Sequence, residues 1–205
     1  MTSDDTPRPS SRADAKSANA SAEAFEARYR GGRDPWSCED SAYELNRHRT
    51  IIASLRMAAY GTVYEPGCST GVLTRQLGEM AKRVIACDFA PSAVEQAKLR
   101  CADQPNVEVL CVDIRTFMPD TPLDLIVFSE IGCYLSAQEL SGLAARWADR
   151  LVHDGEFLAV HGLAESSAHI LHGERVHEIL TQSLGLFPLR AERHSGFRLD
   201  SWVKS

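Results

Sequence analysis

A chain of 205 residues can bury one full α/β core and would be cramped as two domains. Its formal net charge of -6 argues against nucleic acid or an anionic membrane as the main partner, because both demand a basic face. A neutral or cationic small molecule fits that balance better.

Residues 1 to 22 are rich in Ser, Ala, Asp and Pro and lack apolar periodicity, so they are predicted to form a disordered tail that buries too little to offset its ordering entropy. A short helix is expected from Ala24 to Tyr29, stopped by Gly31-Gly32, and Asp34-Pro35-Trp36 reads as a turn carrying an aromatic. From Tyr43 to Ala59 the spacing predicts an amphipathic helix, with Leu45, Ile51, Ile52, Leu55 and Met57 inward and Arg47, Arg49 and Arg56 largely elsewhere. Residues 23–60 together make a helical cap ahead of a main domain over 61–205.

That domain opens on Val63-Tyr64-Glu65-Pro66-Gly67-Cys68-Ser69-Thr70-Gly71, a β-prone run that ends in an acid and turns through two glycines into Val72-Leu73-Thr74-Arg75-Gln76-Leu77, which has helical spacing. Glycine lets a nucleotide approach bare backbone, and the helix start offers unpaired amides. The ligand of such a loop is a dinucleotide or S-adenosylmethionine. The dinucleotide fingerprint needs G-x-G-x-x-G, whereas the spacing here is G-x-x-x-G, with Ser69 in place of a middle glycine and Glu65 placed to repel a pyrophosphate.

Arg83 to Asp88 is a second strand ending in an acid that can accept both ribose hydroxyls, with Pro91 opening the helix after it. Val107 to Asp113 reads as a third strand ending in an acid. Leu123 to Phe128 is the apolar run of a central parallel strand, emerging at Ser129-Glu130. Ser136-Ala137-Gln138-Glu139 has the form of a capping box for a helix to about Arg150. His153-Asp154-Gly155 then turns into a fifth strand over Glu156 to His161. Leu163 to Leu184 is expected to be mostly helical and to carry His169, His172 and His177. Two strands, Phe187 to Ala191 and Phe197 to Val203, close the chain around a turn containing Gly196.

Six cysteines stand apart with no C-x-x-C pair, several inside apolar runs, and are expected to be buried hydrophobes. The chain has no charged-then-apolar leader and no segment of membrane-spanning length. The expectation is a reduced, cytoplasmic protein without a metal site, since no paired acid accompanies His169 and His172.

The run Glu65 to Gly71, with Asp88, Asp113 and Leu123 to Glu130, resembles the class I S-adenosylmethionine-dependent methyltransferases. Asp34-Pro35-Trp36, Tyr43-Glu44, Arg47-His48, Glu130 ahead of Tyr134-Leu135, and His169 with Glu174 and Val176 resemble the NodS family of nodulation N-methyltransferases, which act on chitooligosaccharide precursors. The resemblance implies a single Rossmann-like domain with a mostly parallel seven-stranded sheet and a C-terminal antiparallel hairpin. It implies S-adenosylmethionine at Glu65, Gly67, Gly71, Asp88, Asp113, Ile114 and Ser129, with Asp113 at the adenine amino group. It also implies an amino sugar or oligosaccharide acceptor near Trp36, Tyr43, Arg47 and Tyr134. Glu130 and His169 are the candidates for taking a proton from an amine. O-methylation, a nicotinamide-dependent oxidoreductase and a silent cofactor-binding scaffold stay open at this point, and nothing in the pattern fixes an oligomeric state.

Overall fold

The computed structural model describes residues 21–205 apart from Arg33. The expected tail lies outside the described residues up to position 20; Ser21 already caps a helix.

That helix, α1, spans Ala22–Gly31, and α2 spans Ala42–Ser54. Next come β1 (Tyr60–Pro66), α3 (Val72–Gly78), β2 (Ala81–Asp88), α4 (Pro91–Arg100), β3 (Val107–Cys111) and β4 (Leu123–Ser129). A single 3-10 turn over Gly132–Tyr134 precedes α5 (Ala137–Arg150), β5 (Leu151–Gly162), α6 (Gly173–Ser183), β6 (Phe187–Arg193) and β7 (Phe197–Val203). The seven strands form one sheet in the order β3-β2-β1-β4-β5-β7-β6. Pairings from β3 through β5 are parallel, and β7 runs antiparallel to both β5 and β6. This is the Rossmann-like methyltransferase architecture expected from the sequence.

Alternation along the central strands divides the core. In β4, Ile126 and Phe128 join Trp147 of α5, Phe157 of β5 and Trp202 of β7 on one face. Leu125 and Val127 join Ile51 of α2, Leu77 of α3 and Val94 and Ala97 of α4 on the other. Side chains that alternate across a strand bury both faces only when helices cover both, which is why the run reads as continuously apolar. A third, smaller cluster packs Phe25 and Tyr29 of α1 onto Ala90 and Ala93 at the start of α4.

Several local expectations change. The inner face of α2 is polar: Arg47, His48, Ile51 and Ser54 are its buried residues, while Leu45 is half-buried and Met57 lies exposed beyond the helix end. β3 stops at Cys111, so Asp113 stands two residues past the strand, not at its end. His153-Asp154-Gly155 is not a turn before β5 but part of it, beside a register shift against β4, with Asp154 at φ 62°. Only Gly173–Ser183 of the expected long C-terminal helix is helical; His169 lies in the preceding loop and His172 is the N-cap. Cys111 is exposed, and the other five cysteines are buried as free thiols. The capping box at Ser136 and Glu139 is present, with the reciprocal bonds at 3.2 and 2.8 Å.

Trp147 is fully buried, with ring centroids 4.9 Å from Phe128 and 6.0 Å from Phe157, yet its Nε1 has no hydrogen-bond partner. Trp147→Ala should therefore lower the unfolding free energy by about 3–5 kcal/mol. Trp147→Phe should cost far less, because it keeps a ring and removes the unmatched N–H. Urea denaturation of the three proteins checks the order.

Candidate active site

The carboxyl ends of β1, β2 and β4 meet on one side of the sheet, where open α/β folds bind ligands. β1 lies between β2 and β4, with Pro66 opposite Cys87 and Tyr64 opposite Ile126. The loop after β1 is tied to its neighbour because the Gly67 and Cys68 amides both donate to the Cys87 carbonyl, at 2.6 and 2.9 Å. Gly67, Ser69 and Gly71 have φ values of 74°, 51° and 79°, the left-handed region that favours glycine. A Cβ on Gly67 would fall 2.0 Å from Ile131 Cδ1, and one on Gly71 would fall 2.9 Å from Ala97 Cα. The two glycines thus serve different ends. Gly67 admits the loop after β4, whereas Gly71 lets α3 pack on α4 and does not reach the cavity.

Two acids flank this loop. Asp88 is fixed by the protein, its Oδ2 accepting from Ser69 N at 3.1 Å and its Oδ1 from Ala90 N at 2.9 Å. Burial outweighs those bonds and pushes its carboxyl up to about 6. Glu65 is buried, and its Oε2 has no hydrogen-bond partner. Burial raises Glu65 to about 8. Glu65 lines the cavity, but its Oε2 is sealed from it, the Thr74 hydroxyl is the side chain that pulls against the rise, and no ion pair to this carboxylate is made among the described residues.

The third acid is Glu130, which stands just past β4 at φ 62°. Its Oε1 accepts from Gly162 N at 2.7 Å and lies 2.8 Å from Arg47 Nη1. Arg47 also bonds Glu44, so one guanidinium bridges two carboxylates. Burial raises both acids above the usual carboxylate range, against the pull of Arg47. Beside them burial, reinforced by the Arg47 charge, drops His48 to about 4, so that imidazole is neutral.

A cavity of about 460 Å³ joins these groups. It brings together Glu65, Gly67, Asp88, Ile114, Ser129, Glu130, Trp36, Arg47, Tyr134 and His169 of the residues expected from sequence. Three expected residues stand elsewhere. Gly71 packs on α4 as above. The Asp113 carboxylate is held by Arg115 at 3.0 Å and faces a crevice of only about 20 Å³ beside Ile114. Tyr43 donates to the Gly196 carbonyl at 3.0 Å and meets Phe197 edge-on, fixing the β6–β7 turn.

The wall supplied by α1 was missed by sequence reasoning. Tyr29 donates to Ser69 Oγ at 2.8 Å and receives the Trp36 indole N–H at 3.1 Å. Glu26 accepts from Ser92 N and Oγ at 3.0 and 2.6 Å. Phe25 meets Tyr134 edge-on at 4.9 Å, and Tyr134 meets His169 edge-on at 5.2 Å. The available signal was Phe25 and Tyr29 at i, i+4 on a short helix just ahead of Trp36. Among the described residues no three His, Cys, Asp or Glu side chains gather as a cation site, and no helix is long and apolar enough to cross a membrane.

The chain resembles known proteins over most of its length. A nodulation protein S of Sinorhizobium fredii is 30% identical over 103 residues, covering 50% of this chain and 48% of that protein, so the chain spans about half the length of that curated relative. A solved structure described as the N-methyltransferase NodS from Bradyrhizobium japonicum WM9 in complex with S-adenosyl-l-homocysteine superposes with a TM-score of 0.80 at 23% identity, covering 89% of this chain and 98% of that one. A solved structure described as a methyltransferase from Pseudomonas syringae superposes with a TM-score of 0.68 at 33% identity, over 79% of this chain and 99% of that one. The profile of the family described as Nodulation protein S (NodS) matches residues 20–196, and the chain belongs to that family.

Proposed function

We propose that the chain transfers a methyl group from S-adenosylmethionine to the nitrogen of an amino sugar or an oligosaccharide precursor. The observation that carries this reading is the contrast between two acids in one cavity: buried Glu65, which makes no ion pair among the described residues, and half-buried Glu130, paired with Arg47 and bonded by the Gly162 amide. The first suits the amino group of the cofactor. A pyrophosphate in the same loop would meet that carboxylate instead, which disfavours a dinucleotide.

Glu65, Gly67, Asp88, Ile114 and Ser129 are the residues that would hold the cofactor, Glu65 at its amino group and Asp88 at its ribose hydroxyls. Gly71 contributes by packing, and Asp113 through the segment it shares with Ile114. S-adenosylmethionine when bound supplies an electrophilic methyl group on a sulfonium. The rest of the task is the chain's own: to hold the amine, take its proton and keep water out.

The acceptor end is suited to that. The Glu130 charge attracts a protonated amine, and burial raises its proton affinity toward that of a useful acceptor. Arg47 keeps two neighbouring carboxylates from repelling each other and leaves the group net acidic. Trp36 and Tyr134 offer ring faces for the apolar side of a sugar, and His169 stands in the same cavity as a second proton acceptor. The direct test incubates the protein with labelled S-adenosylmethionine and a glucosamine-terminated chitooligosaccharide and locates the label by mass spectrometry. Label on nitrogen is expected; label on a hydroxyl, or no transfer with cofactor bound, would reject the acceptor assignment.

Cofactor binding should depend on pH with a defined sign. Without ligand, Glu65 is raised to about 8 and Asp88 to about 6. An ammonium beside the first and hydroxyl donors on the second favour the ionised carboxylates, so binding releases protons. Affinity for S-adenosylhomocysteine should rise from about pH 5 to about pH 7 by up to about tenfold per unit for each linked proton. It should level off near pH 8, where the ligand amino group begins to lose its own proton. Calorimetry in buffers of different ionisation enthalpy reads the proton release, and Glu65→Gln should weaken binding and flatten the slope above about pH 6.

Glu130→Gln keeps shape but removes charge and basicity. Turnover should fall about 10²–10⁴-fold while the affinity for S-adenosylhomocysteine barely changes. Parallel steady-state kinetics and calorimetry separate the two. Equal losses in both would move Glu130 to the cofactor pocket.

A further inference from the structure

We propose that His161 is a positioning residue for the acceptor end: its imidazole, held in one tautomer by His177 and Asp200, fixes the turn that presents Glu130. The proposal rests on the reading of Glu130 given above.

Three successive residues at the end of β5 grip the turn after β4. Glu130 N donates to the Val160 carbonyl at 2.9 Å, Gly132 N to His161 Nε2 at 3.0 Å, and Gly162 N to Glu130 Oε1 at 2.7 Å. Two of these bonds are made by backbone groups of β5, and the middle one needs an imidazole. The fit is close, since a Cβ on Gly132 would fall 2.8 Å from His161 Nε2 and 2.5 Å from Val176 Cγ1. The turn is also one that needs holding, because Glu130 is a non-glycine residue at φ 62°.

The protonation of the whole chain of groups follows from its first member. A backbone amide can only donate, so Nε2 of His161 is bare and the ring is neutral with its hydrogen on Nδ1. His161 Nδ1 lies 3.2 Å from His177 Nε2, which must then accept. The hydrogen of His177 is left on Nδ1, which lies 3.0 Å from Asp200 Oδ2. Asp200 is in turn anchored by Arg198 at 2.7 Å, and Arg198 by Glu174 at 2.9 Å. His161 and His177 are fully sealed, and Asp200 is 2% exposed. The Asp200 charge, 3.0 Å from His177 Nδ1 though outside hydrogen-bond alignment, favours the tautomer that puts the hydrogen on that nitrogen and leaves the bare nitrogen of His161 to receive Gly132. Neither imidazole is among the residues lining the cavity, so they act on the reaction through the turn.

The test uses the full chain with labelled S-adenosylmethionine and the glucosamine-terminated chitooligosaccharide. His161→Leu fills the space without an acceptor for the Gly132 amide, and His161→Gln restores an acceptor at the end of its side chain. In the leucine variant kcat should fall about 10- to 100-fold, the cost of misplacing a group at the reacting centre. Affinity for S-adenosylhomocysteine should stay within about twofold, and the glutamine variant should recover most of the loss. Nitrogen-15 NMR of the native protein should show His161 with Nδ1 protonated and Nε2 bare. A folded His161→Leu protein with native kcat, or the opposite tautomer, overturns the proposal. Glu130→Gln measured alongside separates the two readings: if it keeps full turnover, the Glu130 assignment fails and this proposal with it. If it is inactive while folded His161→Leu is fully active, positioning alone fails. Should His161→Leu not fold, Asp200→Asn takes its place, with kcat expected to fall about three- to tenfold together with loss of the His161 Nδ1–H signal. Unchanged kcat and tautomer in that variant overturn the proposal.

Discussion

A guanidinium sealed from water must be matched by charge, and Arg47 is matched twice. It is 6% exposed and bridges Glu44 on its own helix to Glu130 past the end of β4. The pair sets the layout of this side of the cavity, because it bonds α2 to the loop just past β4. Removing one partner of such a buried pair typically costs about 3–5 kcal/mol, since the remaining charges stay buried and uncompensated. Here two carboxylates would be left facing each other. The polar residues on the inner face of α2 are therefore not a defect in packing; while Ile51 seats the helix in the core, Arg47 ties it to the loop after β4.

The side of the cavity formed by the loop after β1 is built by different means. Its loop is drawn against β2 by one carbonyl, that of Cys87, which accepts two successive amides. In the same loop Gly67 and Ser69 take left-handed conformations, and the Ser69 amide donates to Asp88. Tyr29 then bonds Ser69 from above, so α1 closes the wall on the same residue that orders the floor. One short loop couples β1, β2 and the N-terminal layer, and a change in any of them is felt by the cavity.

What could be read from sequence followed the strength of the local signal. The continuous apolar run from Leu123 to Phe128, the two acids Glu65 and Asp88 at strand ends, and the Ser136 and Glu139 cap all act through neighbours a few residues away, and each is where it was expected. The misread positions depend on distant partners. Hydrophobic spacing pointed Leu45 and Met57 inward, but the partner that decides the face of α2 is Glu130, more than eighty residues on. Asp113 looked like a strand end because Val112 continues the apolar alternation, whereas the ladder with β2 stops at Cys111 opposite Asp88. The segment before α6 resembles a helix in composition, yet the His172 ring bonds the Leu163 carbonyl at 2.9 Å and accepts from the Glu174 amide, which sets the helix start at Gly173. Tyr29 carried too small a pattern to reveal that its hydroxyl reaches forty residues ahead.

Glu65 and Glu130 face the same cost and meet it in opposite ways. Burial raises the proton affinity of each. For Glu130 the chain supplies Arg47 and the Gly162 amide, which offset part of the desolvation that still raises its proton affinity. For Glu65 the described residues supply no ion pair, and the Thr74 hydroxyl offsets only part of the desolvation, so its carboxyl is raised to about 8. On the proposed reading, a desolvation cost left standing in the free protein is recovered when a cationic group binds beside Glu65. A cost already offset by neighbours gives no such gain. It gives instead a carboxylate of fixed position, the property that the proposed role of Glu130 toward an amine requires. The proposed division of one cavity between Glu65 and Glu130 therefore rests on where the protein places its own counter-charges.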